Sequence, residues 1–281
     1  MSRGDAALLA AVGAGDVVDA LPDAVVHAAA SAATLDLAAA ALALVAALAA
    51  ADAAAEPRAL PRSFFGGDRA GGAVVAALVA TCLAPDRGQA PAARAELAVA
   101  TQGLRALNAT ARLDRDALNE QVFSTTMRPQ LLHLCDTLFQ TLVDAAGDAP
   151  RGLAADDCLD ELVELVGHFA LVNQECLQWG SASRVTLLRR LLQLPFKYFS
   201  RPRHVDVLFP TLVAGCLGND VNAAVAADDI SMRAVADYLK AQLAKRDDAP
   251  ESVALRGRIP EPLWDRAAAY FDRLSNTATL D

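Results

Sequence analysis

The chain of 281 residues is long enough to bury a sizeable core in one large domain or two small ones. Hydrophobic residues make up 54% of it and aromatic residues only 5%; alanine dominates the apolar fraction, and this composition favours helices. Its formal net charge of −9 means that any contact with a polyanion must come from a local group of cations.

The N-terminal part is rich in alanine and predicts two helices, at about 15–30 and 31–55. The apolar run Leu37–Ala51 in the second helix is shorter than the roughly 18–20 residues of a membrane span. We therefore expect it to be buried on most sides among other helices, without membrane insertion. The following segment, 56–72, is rich in proline and glycine and is a candidate seam within a single helical domain of residues 1–281.

Helical patterns separated by short breakers continue to the C terminus, and no useful length shows the apolar–polar alternation of a strand. Ser183, Asp220 and Ser231 are predicted N-caps, and Pro262 suits a first helical turn. The predicted helices are 73–84, 91–107, 129–146, 154–172, 173–179, 183–194, 201–217, 221–229, 231–246 and 262–274.

Unequal helices joined by short breakers predict an all-α fold of stacked helical hairpins, without substantial sheet. Segment 162–180 supports an armadillo- or HEAT-like α-solenoid in particular. Its apolar helix is followed by Asn173 and Gln174 and by a short helix that Gly180 closes, as in the last helix of an armadillo repeat.

The scattered cysteines have no CxxC pair and are odd in number, which disfavours a disulfide framework or zinc site and predicts free buried thiols. They are Cys82, Cys135, Cys158, Cys176 and Cys216.

The strongest candidates for chemistry are acids in the predicted helix 154–172. Asp157 with Glu161, and Asp160 with Glu164, have the i,i+4 spacing that places two carboxylates together, but no histidine has a matching spacing for a metal. Acids also stabilise the first turns of a helix, so we expect a solvated helix N-terminus here. No nucleophile has a recognisable activating pattern. The sequence therefore predicts a protein without enzymatic activity, cofactor or metal.

Residues 176–205, named here the basic segment, contain six cations and no acid. The segment carries +6, which leaves −15 for the rest of the chain. On a helix from 183 to 194, leucines occupy one face and Arg189 and Arg190 the other. We therefore predict one exposed patch that contacts phosphates; a solvated face balanced by acids of neighbouring helices is the alternative. The candidate residues are Arg184, Arg189, Arg190, Lys197, Arg201 and Arg203.

The basic segment and its neighbours also carry a series of short motifs. They are an Asn-Gln helix that ends at Gly180, Leu-Pro-Phe at 194–196, Tyr-Phe-Ser at 198–200, Pro202, Val-Leu-Phe-Pro at 207–210, and an Arg-x-Pro followed by a Trp helix at 258–271. This series resembles the C-terminal domain of the family of the S-phase cyclin A-associated protein of the endoplasmic reticulum, most strongly over residues 158–274.

We expect the motif residues to be structural rather than contact residues. Pro195 ends one helix, Pro210 kinks the next because it removes a backbone hydrogen bond, and the aromatic side chains fill the corner between these two helices. The last helix packs through its tryptophan. The structural set is Asn173, Gln174, Gly180, Pro195, Phe196, Phe199, Phe209, Pro210 and Trp264.

The resemblance implies a role in tubulin autoregulation, the decay of tubulin mRNA during its translation. Family members link a tetratricopeptide-repeat adaptor, which recognises ribosomes making tubulin, to the cytoplasmic deadenylase complex. For this chain, the resemblance implies a non-enzymatic adaptor domain that docks on ribosomal RNA phosphates and on that adaptor. The deadenylase would be engaged through regions outside this chain.

The family name further implies cyclin A as a partner. The implied location is cytoplasmic, with association to the endoplasmic reticulum through parts of the family protein absent here. A generic armadillo-like protein–protein scaffold, which binds cyclin or another protein without ribosome contact, is the alternative.

Overall fold

The computed structural model describes residues 39–45, 47, 94–113, 115, 128–144, 153–180, 185–249 and 252–277. Most of these residues are helical and none belongs to a β-strand; the β pairing among them is an isolated bridge between Gly180 and Thr186. The predicted all-α fold is confirmed. The labelled helices are α1 (Arg94–Leu113), α2 (Arg128–Asp144), α3 (Leu153–Val172), a 3₁₀ helix (Gln174–Gln178), α4 (Leu187–Leu192), α5 (Lys197–Ser200), α6 (Pro202–Cys216), α7 (Asp220–Asp229), α8 (Met232–Asp248), a second 3₁₀ helix (Glu261–Leu263) and α9 (Trp264–Thr277).

The chain divides into two compact units, residues 1–165 and 166–281, and the boundary between them falls inside α3. The predicted seam at 56–72 lies outside the described residues, so the single-domain organisation stays a prediction. The stacking of helical hairpins into a solenoid also stays a prediction.

Helix α4 differs from its prediction. The helix expected from residue 183 begins at Leu187, because Thr186 has an extended backbone and its hydroxyl accepts a hydrogen bond from the Arg189 backbone N–H at 3.2 Å. Thr186 is therefore the N-cap of α4. The predicted cap Ser183 lies outside the described residues. A further short helix, α5, fills part of the connection that was expected between 194 and 201.

Helices α7 and α8 start close to their predicted positions. Asn219, rather than the predicted Asp220, caps α7, and its side-chain oxygen accepts from the Asn222 N–H at 3.0 Å. Ser231 occupies the N-cap position of α8 as predicted, although its side chain makes no capping hydrogen bond.

The first unit includes part of the alanine-rich run predicted to be a buried helix. Residues 39–45 are helical, with Leu42 and Val45 buried, whereas Ala40 and Ala47 are exposed. The described part of this helix is thus exposed along one face and buried or half-buried elsewhere, and most of the run lies outside the described residues. Within the described ranges, no helix combines the length and apolar character that crossing a bilayer requires.

Ion pairs join α1 to the part of α3 in the first unit. Nε of Arg105 lies 3.0 Å from Oε1 of Glu161, and Nδ2 of Asn108 donates to Oε2 of the same carboxylate at 2.9 Å. Arg112, two turns after Arg105 on α1, pairs with Glu164, about one turn after Glu161 on α3. The expectation of a solvated helix N-terminus was wrong for these acids, because arginines of α1 bind their half-buried carboxylates.

The second unit is built around α6, whose residues from Leu208 to Cys216 are all buried. The helix continues through Pro210. Helices α8 and α9 pack side by side, with ion pairs of 2.5 Å between Lys240 and Asp272 and 3.2 Å between Arg246 and Asp265 along their exposed edges.

Trp264 packs α9 as predicted. Its side chain is buried, and its indole N–H donates to the Ile259 carbonyl at 2.9 Å.

The described cysteines are free and buried, as predicted, whereas Cys82 lies outside the described residues. Burial raises the pKa of the Cys135, Cys158 and Cys216 thiols from 9.0 to about 12. These thiols are therefore protonated at neutral pH, and the nucleophilic thiolate does not form there.

Candidate nucleic-acid interface

The side-chain amides of Gln174 and Asn222 connect the 3₁₀ helix, in which the basic segment begins, to the end of α6. Nε2 of Gln174 donates to the carbonyls of Ala214 and Leu217, at 3.0 and 2.9 Å, at the end of α6. Nδ2 of Asn222 donates to Gly215 O at 2.7 Å and to Gln174 O at 3.2 Å. The predicted structural role of Gln174 thus has a physical basis, because its side chain satisfies carbonyls that a helix end leaves unbonded.

The remaining residues of this junction are also structural. Asn173 caps the 3₁₀ helix, since its Oδ1 accepts from the Glu175 N–H at 3.2 Å. Gly180 forms the bridge with Thr186, directly before α4.

Helix α4 presents leucines inward and arginines outward. Arg189 and Arg190 are half-buried on the side opposite the leucines, as the sequence predicts. The buried residues are Leu187, Leu188, Leu191 and Leu192.

Acids of α7 balance the charge of Arg189. Nη1 of Arg189 lies 2.6 Å from Oδ2 of Asp229, and Nη2 lies 3.9 Å from Oδ2 of Asp228. The Arg189 side chain retains 41% exposure, so the pair is not buried. For Arg189 the structure therefore agrees with the alternative interpretation, a basic face balanced by acids of a neighbouring helix.

The cations after α4 lie on a tight elbow. The backbone N–H of Arg201 donates to the Lys197 carbonyl at 2.9 Å, so these two residues are one helical turn apart on the same face. Arg201 and Arg203 are exposed, and Lys197 is half-buried with Nζ 6.0 Å from the ring centroid of Tyr198. We name Lys197, Arg201 and Arg203 the elbow cations.

Arg201 is the least constrained of the elbow cations. Its guanidinium makes no hydrogen bond or ion pair with any residue that the structure describes. The first acid after the basic segment is Asp206, whose Oδ1 accepts from Nε2 of Gln242 on α8 at 3.1 Å. That carboxylate is therefore engaged with α8.

The predicted basic patch thus divides into separate environments. Arg184 lies outside the described residues, Arg189 pairs with α7, and Arg190 lies beside it on α4. The structure brings the elbow cations together through the α5 turn and the start of α6.

The structural role predicted for Phe196 was wrong, since its side chain is 80% exposed. The corner is filled instead by Tyr198, which is fully buried with its ring centroid 4.7 Å from that of His204. Phe196 and Tyr198 are two residues apart in a helical turn and point in different directions. Leu194, four residues before Tyr198, shares its buried side.

The other predicted motif aromatics do pack. Phe209 is buried, with its ring edge-on to Tyr238 at a centroid distance of 5.2 Å, and Phe199 is half-buried. Pro210 is buried within α6, and Pro195 precedes α5.

A buried arginine that the sequence interpretation did not assign holds the Arg-x-Pro motif in place. Nη2 of Arg258 donates to Thr211 Oγ1 at 2.8 Å and to Val207 O at 3.2 Å. Gly167 makes room for this contact, because a Cβ there would lie 2.6 Å from Thr211 Oγ1 and 3.1 Å from Arg258 Nη2. Arg258 is thus a structural residue. Its position as the first residue of the Arg-x-Pro motif is the sequence feature from which this role could have been predicted.

Among the residues that the structure describes, no three histidine, cysteine or acidic side chains form a group able to hold a metal ion.

No family model matches the chain. No solved structure matches it either. Over 191 residues the chain is 28% identical to the S phase cyclin A-associated protein in the endoplasmic reticulum from Homo sapiens, in a match that covers 62% of this chain and 13% of that protein. The match covers more residues than the 117 positions from 158 to 274, and since only seven residues follow 274, it also includes residues before 158. This similarity supports a family relationship between the chain and that protein, as the motifs of the basic segment predict.

Proposed function

We propose that this chain is a non-enzymatic adaptor domain that docks on the ribosome by contacts between the elbow cations and ribosomal RNA phosphates. The observation that carries the proposal is the elbow itself: three cations within seven residues, two of them exposed, in a segment without acids. Phosphate contacts supply most of the sequence-independent affinity for nucleic acid. The acidic remainder of the chain would repel other faces of the ribosome and so orient the docking.

The proposal extends to the partners that the family resemblance implies. Docked on a ribosome making tubulin, the domain would engage a tetratricopeptide-repeat adaptor, and regions outside this chain would recruit the deadenylase complex. The name of the human relative also carries an association with cyclin A and with the endoplasmic reticulum. For this chain, cyclin binding and a cytoplasmic location at that membrane belong to the same proposal.

A protein–protein scaffold without ribosome contact is the second candidate. The observation that favours it is the pairing of Arg189 with Asp228 and Asp229, since a surface whose cations are already balanced attracts polyanions weakly.

Reversal of the elbow cations tests the proposal. We expect the triple variant Lys197→Glu, Arg201→Glu, Arg203→Glu to abolish ribosome co-sedimentation at moderate salt. Removal of one phosphate interaction should lower the slope of log affinity against log salt by about one unit, taking duplex DNA as a guide. The measurement is co-sedimentation of the purified full chain with ribosomes across a salt series.

The matched control reverses exposed arginines elsewhere in the second unit, as Arg233→Glu, Arg256→Glu and Arg266→Glu. Each triple changes the net charge by −6, from −9 to −15, so a general charge effect would weaken both equally. Equal binding by the two variants, or salt-independent binding of the unaltered chain, would remove the ribosome proposal and favour the scaffold.

A further inference from the structure

Phe196 is the exposed aromatic side chain of the described residues. The large hydrophobic side chains exposed there are Val172, Phe196 and Val221, and Phe196, at 80%, is the most exposed. Nearby aromatic rings of Tyr198 and Phe209 are buried. Leaving a phenylalanine ring in water forgoes the free energy that its burial would supply. An exposed ring in a segment that carries cations and no acid is therefore a candidate contact residue.

The backbone holds this ring on an ordered turn. The Tyr198 N–H donates to the Pro195 carbonyl at 2.9 Å, and the Phe199 N–H donates to the Phe196 carbonyl at 3.0 Å. Ser200 Oγ donates to the Phe196 carbonyl, also at 3.0 Å. The buried Tyr198 anchors the turn from the other side. A partner would meet a ring whose backbone is already fixed, which lowers the entropic cost of binding.

The charge around the ring selects the kind of partner. Lys197 follows Phe196 directly, and Arg201 lies one helical turn beyond Lys197 on the same face. No acid occurs between positions 176 and 205. A flat apolar ring next to cations matches an unpaired nucleotide, which offers a base to stack on and phosphates on either side. A purely apolar protein pocket would offer no acceptor to the exposed guanidinium of Arg201.

We propose that Phe196 stacks on an unpaired base of ribosomal RNA while Lys197 and Arg201 contact the flanking phosphates. The proposal rests on ribosome docking and adds to it the chemistry of the contact, an unstacked base rather than duplex backbone alone. Val172 and Val221, which lack a flat π face, take no part in it.

Substitutions of Phe196 separate stacking from simple apolar contact. We expect Phe196→Ala to weaken binding of the full chain to ribosomes about 5- to 150-fold, the range for removal of one base–aromatic stack. Phe196→Trp should retain the affinity, and Phe196→Leu should behave like Phe196→Ala, since leucine is apolar but has no π face. Because stacking releases no counterions, Phe196→Ala should leave the salt slope unchanged, whereas Arg201→Glu should lower it.

The outcomes also distinguish this inference from ribosome docking. If the elbow triple variant fails to bind but Phe196→Ala binds normally, docking stands and the stacking proposal is overturned. If the elbow triple variant binds normally, docking itself fails. The same variants are then measured on protein-free ribosomal RNA and on anionic lipid vesicles. Weaker ribosome binding by Phe196→Ala with unchanged RNA binding would indicate a protein pocket, and a Phe196 effect confined to vesicles would indicate a membrane contact; either result overturns stacking.

Discussion

Asn222 shows how much a single polar side chain contributes to the scaffold beneath the elbow. It is fully buried, donates to two carbonyls, and accepts a hydrogen bond from Gln178. A buried carbonyl that loses its hydrogen-bond donor is left unsatisfied, because water does not reach it. The folded chain is destabilised as a result. Removal of the Asn222 side chain should therefore destabilise the junction between the 3₁₀ helix, α6 and α7.

We expect Asn222→Ala to lower the free energy of unfolding by about 1–3 kcal/mol, since it removes the side-chain donor of the buried Gly215 carbonyl. Urea unfolding followed by circular dichroism measures the change. Val221→Ala, at the exposed neighbouring position, is the control and should stay within about 0.5 kcal/mol of the unaltered chain. An Asn222→Ala variant as stable as this control would contradict the role assigned to the side chain.

At the level of elements, the approach of α6 to the 3₁₀ helix depends on a glycine. A Cβ at Gly215 would lie 2.1 Å from Cδ1 of Leu177, far closer than atoms can approach, and Leu177 is fully buried. The missing side chain lets the two elements meet closely enough for the Gln174 and Asn222 hydrogen bonds to form.

We expect Gly215→Ala to destabilise the second unit by about 1–3 kcal/mol through overpacking. In a Leu177→Ala background the same change should cost less, because the clashing atom is gone, so the double-mutant cycle should be non-additive. Thermal or urea unfolding of the four variants measures this coupling. Strict additivity would mean that the clash is relieved elsewhere.

The helices themselves were largely predictable from the sequence, whereas their contacts were not. Leucines at α4 and the apolar run of α6 repeat with helical spacing, and such periodicity is local information. The partner of Arg189 lies 40 residues away in the sequence, on α7, and only packing brings the two together. The exposure of Phe196 has the same origin, because packing between helices buries Tyr198 at this corner and leaves Phe196 outside.

The molecule as a whole contains several thiol and tyrosine hydroxyl groups whose pKa values are raised by burial. The raised pKa values of Cys135, Cys158 and Cys216, at about 12, come from burial, and burial together with a hydrogen bond to Asp220 raises the pKa of Tyr270 to about 12. In the unfolded chain these thiols ionise near their ordinary value of 9.0. Folding therefore holds protons that the unfolded chain releases at high pH.

We expect the free energy of unfolding to fall as pH rises from 9 towards 12. The sign follows because the folded pKa is raised, so stability present below the unfolded pKa disappears above it, by about 1.4 kcal/mol per pH unit for each thiol. Urea midpoints from pH 7 to pH 11 measure the fall, and Cys216→Ala should make it less steep. A flat profile to pH 11 would contradict the burial of these thiols.

The end of α6 bears on how the second unit opens. Helix ends usually fray, because their last carbonyls exchange partners freely with water. Here the carbonyls of Ala214, Gly215 and Leu217 are held by amide side chains from two other elements. Separating the last turn of α6 therefore requires the 3₁₀ helix and α7 to detach with it, so this junction belongs to one cooperative unit of hydrogen exchange rather than to a fraying terminus.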